Sequence, residues 1–341
     1  MRIVHLLLTR RFAGTERHAL ELAAAQAAAG HDVTLVLRRA GTTDRSDAIA
    51  HRVDPRVRVE VVGDLFAPWR ARRLLRRLRP DVAHAHLSGG CRALHGLRGD
   101  TLRVATLHIH YKPRQHAALD ALIAIAPWQL AAIPVPLRAR SVQVDNWTLP
   151  RAPAVDARTR LRTQHGIGEH EFLFGALGRC ERSKGLDVLI AAFERAALPQ
   201  ARLAIVGDGA AWPALRRQAG ADVVMPGFVD APQDWLAAFD GFVSAARSEP
   251  FGLVLLEAMQ AGLPIVASAS DGARHLAAQI GAPLVPVDDV DALAAALRRV
   301  YEARPGRVRY ALDGFRIEAK LAQIEAFYRD GLARLAARPR S

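Results

Sequence analysis

Short apolar runs separated by helix-like segments constrain the fold of this chain more than any other feature of its sequence. Six such runs in the first half hardly alternate between apolar and polar residues: Ile3–Leu8, Val33–Leu37, Val57–Val62, Val82–Ala85, Val104–Leu107 and Leu122–Ala126. Unalternated strands are typical of parallel sheets that helices cover on both faces. Helical patterns lie between them at Glu16–Ala29 and Trp69–Leu78. The first half is therefore predicted to be α/β, with a doubly wound parallel sheet.

The same alternation resumes after a proline-bearing stretch at residues 146–155. Strands are predicted at Phe172–Ala176, Leu203–Val206, Val223–Met225, Gly241–Ser244 and Pro264–Ala267. Helices are predicted at Gly185–Ala197, Ala211–Ala219, Ala231–Ala238, Leu253–Ala261 and, at the end of the chain, Arg316–Ala336. We expect one Rossmann-like domain at residues 1–150, a second at 151–315, and a C-terminal helix at 316–341 that crosses back to the first domain.

The composition indicates a soluble, cytoplasmic protein. Half of the 341 residues are apolar, which is enough for two cores. Only Cys91 and Cys180 are present, without histidines at ligand spacing, so neither a disulfide framework nor a zinc site is expected. The N-terminal apolar run is short and soon meets two arginines, which indicates a strand rather than a signal peptide. Prolines interrupt the most apolar later stretch, Ala121–Leu137, too often for a membrane span.

The formal net charge of +13 is concentrated in the first half of the chain. Residues 1–150 hold 23 Lys and Arg against 12 Asp and Glu, whereas the remaining residues hold 24 against 22. A basic face can bind nucleic acid, an anionic membrane or an acidic substrate. Because only 6% of the residues are aromatic, base stacking has little support and no nucleic acid partner is expected.

A basic helix at residues 69–79 is a candidate for contact with the inner face of the membrane. It holds six arginines, with Trp69, Leu74, Leu75 and Leu78 on its apolar side. Such a helix can lie on anionic lipid as a peripheral anchor. Its leucines can equally pack on the sheet of their own domain, and the sequence leaves both interpretations open.

Two glutamates eight positions apart define the most informative segment, R-S-E-P-F-G-L-V-L-L-E. Gly252 lets the backbone approach a ligand, and a helix is predicted to begin at Leu253. A helix N-terminus attracts an anion such as phosphate. Glu249 precedes this terminus and Glu257 lies further inside the helix, so the two carboxylates would meet different parts of one ligand.

A second segment, G-R-C-E-R-S-K-G, places two cations between a predicted strand and a predicted helix. Arg179 and Lys184, beside a helix N-terminus, can stabilise the negative charge of an anionic ligand without a metal ion. The alternative is that both are solvated surface charges.

These two segments resemble the E-x7-E signature and the G-R-x4-K-G pattern of the retaining GT-B glycosyltransferases, in the glycogen-synthase-like family 4 (group 1). The resemblance extends over nearly the whole chain and implies two Rossmann-like domains that face an interdomain cleft. It implies that Glu249, with Phe251, Gly252 and Leu253, meets the donor sugar and that Glu257 holds the ribose. It also implies that Arg179 and Lys184 bind the donor phosphates.

Other positions match the family less specifically. The resemblance assigns donor contacts to four residues in glycine-bearing loops: Gly14, Gly178, Gly207 and Phe228. It places His108, just past a strand end, near the donor sugar as a catalytic candidate. His110 is a weaker candidate, and His84 and His86 are expected to be packed or to lie on the acceptor side rather than to bind metal.

Two loops depart from the family pattern. In R-R-F-A-G-T-E, Thr15 replaces one of two usual glycines, and Arg10 and Arg11 make the loop basic. These arginines suit an anionic acceptor, unless they are simply exposed and unpartnered. After Ser268 the usual paired glycines and glutamate are absent, which puts donor-sugar contacts from that loop in doubt. The sequence Asp289–Val290–Asp291 indicates helix capping rather than a metal motif.

The function that the resemblance implies is metal-independent, retaining transfer of a sugar, such as a hexose, from a nucleotide-sugar donor, without a cofactor. The expected acceptor is a hydroxyl of a glycan or lipid-linked molecule in bacterial polysaccharide, lipopolysaccharide or glycolipid synthesis. A non-catalytic nucleotide- or sugar-binding relative is the alternative. A Rossmann oxidoreductase is disfavoured because residues 9–16 lack G-x-G-x-x-G.

Overall fold

A computed structural model describes residues 1–45, 47–97 and 99–337 of the chain, which form two compact units. The first unit comprises Met1–Trp147 and the segment from Phe315 onwards, and the second comprises Thr148–Gly314. The last part of the predicted C-terminal segment, residues 338–341, lies outside the described residues. Within these ranges no helix is both long and apolar enough to cross a membrane.

The first unit is built, in its described part, on a seven-stranded parallel sheet in the order β3-β2-β1-β4-β5-β6-β7. The strands are β1 (Arg2–Leu7), β2 (Asp32–Arg38), β3 (Arg58–Val62), β4 (Val82–His86), β5 (Leu102–Leu107), β6 (Ala121–Ala124) and β7 (Val142–Gln143). Strands β1 and β4 are neighbours, with His5 opposite His84 and Leu7 opposite His86.

Helices cover both faces of this sheet. They are α1 (Gly14–Ala28), α2 (Ala67–Leu78), α3 (Leu87–Leu94), α4 (Pro113–His116), α5 (Pro127–Ala131) and α6 (Val135–Arg138). Successive residues of β1 enter different cores, because Leu6 packs in the cluster that contains Leu75 of α2, whereas Leu7 packs with Leu20 of α1. Apolar residues on both faces explain why β1 shows no alternation in the sequence.

The second unit is built, in its described part, on a five-stranded parallel sheet in the order β10-β9-β8-β11-β12. The strands are β8 (Phe172–Leu177), β9 (Ala201–Val206), β10 (Val223–Gly227), β11 (Gly241–Ser244) and β12 (Ile265–Ala267). Its helices are α7 (Ala157–Gln164), α8 (Leu186–Ala196), α9 (Trp212–Gln218), α10 (Pro232–Ala238), α11 (Leu253–Gln260), α12 (Asp271–His275), α13 (Ala277–Ile280) and α14 (Val290–Ala303).

The last helix, α15 (Ile317–Ala336), belongs to the first unit and packs against α1 and β5. Its Tyr328 is fully buried, and the hydroxyl lies 2.6 Å from Nδ1 of His84 on β4. Gly331 allows the close approach to β5, because a Cβ there would lie 2.6 Å from the side chain of Leu102. The amphipathic pattern of this helix is thus satisfied inside the first unit.

The predicted α/β architecture with two doubly wound parallel sheets is confirmed. Segments that the sequence did not predict include the short edge strand β7 and helix α3. Capping by the D-x-D run is confirmed, because its first residue, Asp289, precedes α14 and accepts a hydrogen bond from the N–H of Ala292 at 2.8 Å. The boundary between the units falls after Trp147, which is buried and donates to Glu21 at 2.8 Å.

The apolar side of the basic helix differs in part from the sequence-based description. Leu74 and Leu75 of α2 are buried in the core of the first unit, and Leu78 packs against that core. Trp69 does not share this face, since 57% of its surface is exposed. The leucines therefore serve the sheet of their own domain, because the sheet face offers them the apolar surface that they need.

Candidate functional site

Most of the sequence-predicted donor residues lie in the second unit, on loops that follow the strands of its sheet or in the first turns of helix α11. All five strands are parallel, so the loops that follow them emerge at the same, carboxyl edge. The strand order changes direction between β8 and β11. In open α/β sheets the crevice outside such a reversal point is the usual ligand site. The loop after β8 carries Arg179 and Lys184, and the loop after β11 carries Glu249.

Lys184 and Glu249 form an ion pair at this position. Nζ of Lys184 lies 2.6 Å from Oε2 of Glu249, and the two side chains are only 23% and 13% exposed. The backbone holds the two loops together, because the carbonyl of Ser183 accepts hydrogen bonds from the N–H groups of Arg247, at 2.9 Å, and Ser248, at 3.1 Å. The fold thus brings together two oppositely charged side chains that are 65 positions apart in the sequence.

Arg247 fixes the same pair of loops from the other side, and the sequence did not single it out. Its guanidinium binds both carboxylate oxygens of Asp187 on α8, at 2.8 and 2.7 Å, and also binds Asp288 at 2.6 Å. Hydrogen bonding to Arg247 holds the pKa of Asp187 below its usual value, and the same contact raises the pKa of Arg247. Its place two residues before Glu249 was the only sequence signal for this role.

The two predicted phosphate-binding cations have different surroundings. Arg179 is 66% exposed, and its Nη1 lies 2.8 Å from Oε1 of Glu181. Lys184 is mostly buried beside Glu249. An exposed pair such as Arg179–Glu181 contributes little to stability, so this guanidinium can exchange its partner for a ligand at small cost.

Glycines allow the loops at this edge to pack backbone against backbone. Gly207 has φ = +137°, and a Cβ there would lie 1.9 Å from the carbonyl oxygen of Gly178. Gly178 itself has φ = +147°. Only glycine satisfies both the conformation and the space at Gly207. The sequence assigned both glycines to the donor site, and the structure brings them into contact.

The loop of Glu249 is supported by a glycine, Gly272, in the divergent segment that follows Ser268. Gly272 donates its N–H to the carbonyl of Glu249 at 2.7 Å, and a Cβ on it would lie 2.4 Å from the carbonyl carbon of Phe251. The ring of Phe251 is buried and lies 5.5 Å from that of His275. The side chain of Phe251 therefore belongs to the core, so any ligand contact at this position comes from the backbone.

Helix α11 begins directly after this loop. Gly252 is its N-cap residue, with φ = +97°, and Leu253 is the first helical residue. The first N–H groups of a helix lack intrahelical acceptors and face outward with the positive end of the dipole. Glu257 is half-buried one turn further along the helix. The segment thus supplies both anion-binding backbone and a carboxylate.

Two other residues at the same edge bear on the chemistry. Phe228 follows β10 and is 56% exposed, so its ring is available for stacking. Cys180 lies in the loop between Gly178 and Lys184 but is buried, and burial raises the pKa of its thiol to about 11. This thiol stays protonated at neutral pH and does not supply a nucleophilic thiolate.

Two parts of this chain match known protein families. Residues 12–160 match the family described as Glycosyltransferase Family 4, and residues 171–303 match Glycosyl transferases group 1. Together the two matches cover most of the chain. The protein belongs to the group 1, family 4 glycosyltransferases.

Relatives of this family 4 protein support the assignment of the fold as GT-B. Phosphatidyl-myo-inositol mannosyltransferase of Mycolicibacterium smegmatis is 34% identical over 198 residues, or 54% of this chain and 47% of that protein. A sucrose-phosphate synthase from Thermosynechococcus elongatus has a TM-score of 0.78 at 22% identity, covering 98% of this chain and 99% of that one.

The Anabaena protein HepE, solved with UDP and glucose, has a TM-score of 0.72 at 20% identity, covering 99% and 100%. This chain matches two of its curated relatives, one of them the mannosyltransferase, over only 34% and 47% of the length of those proteins.

In the first unit of this family 4 protein, His108 lies just after β5, at one end of a series of hydrogen-bonded side chains. Its Nε2 lies 3.0 Å from Nδ1 of His86, and Nε2 of His86 lies 3.0 Å from Nδ1 of His5. At the other end of the series, Nε2 of His5 lies 2.7 Å from Oε1 of Gln26. Burial lowers the pKa of His5 to about 4, against a weaker opposing contribution from Gln26, so its ring is neutral.

These histidines form two overlapping groups whose nitrogens could hold a metal ion. The groups are His5–His84–His86 and His18–His86–His108, and within each group the ligand nitrogens lie within 4.8 Å of one another. Neutral imidazole is the form that binds metals. However, both ring nitrogens of His5, His84 and His86 already take part in hydrogen bonds, which a metal ion would have to replace. The hydrogen bonds account for these three histidines without an ion.

The expectation that His84 and His86 are packed residues is confirmed, since both are fully buried. Sequence reasoning did not bring the five histidines together, because they come from α1, β1, β4 and the loop after β5. The only signal was the repeated His-x-His spacing in β4 and after β5.

A nearby carboxylate, that of Asp47, partly neutralises the positive charge of the loop after β1. Arg11 lies 3.2 Å from Asp47, which also pairs with Arg45 at 3.0 Å. Gly14 begins α1, and Glu16 in its first turn is buried. Arg11 is therefore exposed but not unpartnered, whereas both Arg10 and Arg11 remain at the carboxyl edge of the first sheet.

Proposed function

We propose that this protein is a retaining glycosyltransferase that moves a sugar from a nucleotide-sugar donor to a hydroxyl group of an acceptor. The observation that carries the proposal is the Lys184–Glu249 pair at the point where the order of the second sheet reverses. A cation and a carboxylate in contact suit a donor that carries phosphate charge beside sugar hydroxyls. The family to which the chain belongs supports the same conclusion.

Departure of the nucleoside diphosphate would be assisted by charge alone. Lys184 and Arg179 would stabilise the negative charge that develops on the leaving phosphate, together with the N-terminus of α8, which begins two residues after Lys184. No step of this scheme uses a metal ion or a cofactor. The exposed Arg179 would leave Glu181 to meet the phosphates, while Asp187 would stay bound to Arg247.

The remaining contacts would orient the donor. Glu249 would accept hydrogen bonds from the sugar, and Glu257 from the ribose. The exposed ring of Phe228 would lie against the base. Backbone contacts would come from residues in the glycine-bearing loops: Gly178, Gly207, Phe251, Gly252 and Leu253.

Retention would follow from attack on the same face that the phosphate leaves, with that phosphate taking the acceptor proton. The ion pair with Lys184 engages Glu249, which suits a binding carboxylate better than an attacking one. No protein nucleophile is therefore part of the proposal. Proton NMR of the product would show whether the anomeric configuration of the donor is kept, and inversion would exclude this scheme.

The proposed acceptor is a lipid-linked or glycan molecule of cell-surface polysaccharide, lipopolysaccharide or glycolipid synthesis, modified in the cytoplasm. The name of the mycobacterial relative, phosphatidyl-myo-inositol mannosyltransferase, supports a lipid-linked acceptor. The excess of basic residues in the first half of the chain suits an anionic acceptor of this kind.

A panel of UDP-, GDP-, ADP- and dTDP-sugars tests the donor part of the proposal in thermal-shift measurements. A ligand at about 100 times its Kd adds roughly 2.7 kcal/mol of stability, which shifts the melting temperature measurably. We expect one nucleotide to stabilise the protein selectively, and Lys184→Met to reduce that shift. A folded protein that none of these donors stabilises would contradict the site assignment.

Turnover separates the enzyme from a non-catalytic binder, the alternative that the divergent loops at Thr15 and after Ser268 permit. Release of nucleoside diphosphate is measured with the stabilising donor and lipid or glycan acceptor pools, for the wild type and for Glu249→Gln. An enzyme should release diphosphate and lose that release in the variant. Selective binding without release from any pool would favour the binder.

A further inference from the structure

One face of α2 presents aromatic and basic side chains to solvent, although the leucines of this helix are used by the core. Leu65, Phe66 and Trp69 are 76%, 77% and 57% exposed, which is far more than large apolar residues normally show in one segment. Phe66 is the N-cap residue of the helix and has φ = +54°, a conformation that few residues other than glycine adopt. The fold thus exposes an apolar tip, formed by Leu65, Phe66 and Trp69, at the start of α2.

The cations of α2 continue the same face. Arg70, Arg73, Arg76 and Arg77 are exposed, and with Phe66 and Trp69 they recur at intervals of three and four residues. Residues at such intervals lie on one side of an α-helix. The opposite side is formed by the buried residues Ala67, Ala71, Leu74 and Leu75. We call the exposed side, from Leu65 to Arg77, the α2 outer face.

The arginines of the α2 outer face have few partners. Arg77 lies 3.8 Å from Glu60 with 73% of its side chain exposed, and Arg70 donates to the carbonyl of Leu65 at 3.1 Å. For Arg73 and Arg76 the described residues provide no ion pair. Arg72 differs, because it donates to the backbone carbonyls of Arg92 and Ala93 and is not part of this face.

No acidic side chain lies between Leu65 and Leu78, and the nearby Asp64 is held by Arg38 at 2.7 Å. The α2 outer face is therefore a strip of positive charge with an apolar end. A helix of 12 residues extends over about 18 Å, so the strip can lie flat along a surface.

We infer that the α2 outer face docks on an anionic phospholipid bilayer. Leu65, Phe66 and Trp69 would enter the boundary between headgroups and acyl chains, where amphipathic aromatic rings are most stable. The four arginines would bind the lipid phosphates, and each basic residue near such a surface adds to the attraction. This inference goes beyond the proposed sugar transfer and does not depend on it.

An anionic bilayer matches this face better than nucleic acid or a protein partner. Nucleic acid would use the arginines but would leave Leu65 and Phe66 in water. A protein partner would need acidic groups placed along the whole strip, whereas a bilayer supplies both phosphates and an apolar layer beneath them. The charge and the apolar tip together identify the bilayer.

Vesicle flotation of the full chain tests the inference. Wild-type protein should float with vesicles that contain phosphatidylglycerol, should bind pure phosphatidylcholine vesicles much more weakly, and should be released by salt. Arg73→Gln combined with Arg76→Gln should weaken binding roughly tenfold or more, since two cations are lost. Phe66→Ser combined with Trp69→Ser should also weaken it, because the apolar tip no longer inserts.

A matched control variant comes from the second unit, and fluorescence quenching tests the insertion of Trp69 directly. Arg216→Gln with Arg217→Gln removes two exposed arginines from α9 and should leave binding unchanged. Lipids brominated in their acyl chains should quench the fluorescence of the wild type more than that of Trp69→Phe. Equal binding to both vesicle types, or full binding by folded variants of the α2 outer face, would overturn the inference. So would a wild type that binds neither vesicle but binds DNA or an acidic protein.

Discussion

At the scale of single residues, the ion pair of Lys184 and Glu249 combines low exposure with short distance. The 13% exposure of Glu249 means that its carboxylate has little water to replace the ammonium group. Removing one partner of a poorly solvated pair costs more than the pair contributes, because the other charge is left without compensation. The proposed function assigns the phosphate charge of the donor to the same cation, so one residue would serve both stability and the proposed chemistry.

Lys184→Met should therefore lower both activity and stability. We expect turnover with the identified donor to fall at least about 100-fold, since charge stabilisation of the leaving group is lost. The free energy of unfolding should fall by about 1 to 3 kcal/mol, because Glu249 remains partly buried without its cation. Steady-state kinetics and urea unfolding measure the two effects.

Arg195→Met is the control for this variant. It breaks another ion pair of 2.6 Å, with Asp291, but both side chains are mostly exposed, at 60% and 74%. Its activity should be unchanged and its stability should change by no more than about 1 kcal/mol. If the two variants lost activity equally, the special role of Lys184 would be refuted.

At the scale of elements, the loops after β8 and β9 are packed so closely that the backbone leaves no space for a side chain. Gly207→Ala would place a methyl group 1.9 Å from the carbonyl oxygen of Gly178, in a conformation with φ = +137°. We expect a loss of stability of about 4 kcal/mol or more, or failure to fold, because backbone must move to relieve the contact.

Gly306→Ala is the matched control, since a Cβ at that position meets nothing within 4 Å. Its free energy of unfolding should stay within about 0.5 kcal/mol of the wild type, or rise slightly because the unfolded chain becomes less flexible. Urea titrations of both variants provide the comparison. A Gly207→Ala protein as stable as Gly306→Ala would show that these loops do not pack as described.

At the scale of the whole molecule, the buried histidines of the first unit make stability depend on pH. Burial lowers the pKa of His5 to about 4, and burial also holds the pKa values of His18, His84 and His86 well below the ordinary value. Below pH 6.5 the unfolded chain binds protons that the folded chain does not bind. Stability is therefore fully present above that pH and is lost as the pH falls towards 4.

For His5 alone this linkage should remove about 2 kcal/mol of stability between neutral pH and about pH 5. Urea unfolding at several pH values measures the loss, and limited proteolysis follows the first unit separately. A stability that stayed constant over this range would mean that the histidines are already protonated in the folded state or are not buried.

Local pattern was sufficient for most of the secondary structure. The strands at the centres of both sheets are continuous apolar runs, and a run that is buried on both faces can be recognised without knowing its neighbours. The edge strand β7 was missed because Val142–Gln143 is too short to form a pattern. Helix α3 was missed because glycines at residues 89 and 90 interrupt its helical pattern of apolar residues. The structure explains Gly90, because this residue closely approaches Leu6 and Ala85.

The sequence by itself determined the α/β class, the two parallel sheets, the loops that carry Arg179, Lys184 and Glu249, and the helix that carries Glu257. These follow from short-range hydrophobic period and from glycine spacing, which act within a few residues. Only the tertiary structure decided that Lys184 pairs with Glu249, that Arg247 holds Asp187, and that five histidines share one interior. Each of these contacts joins residues from strands or loops far apart in the chain, so it depends on strand order and on which side chains lose their water. The exposure of Phe66 and Trp69 was decided in the same way, because the sheet needed only one face of α2.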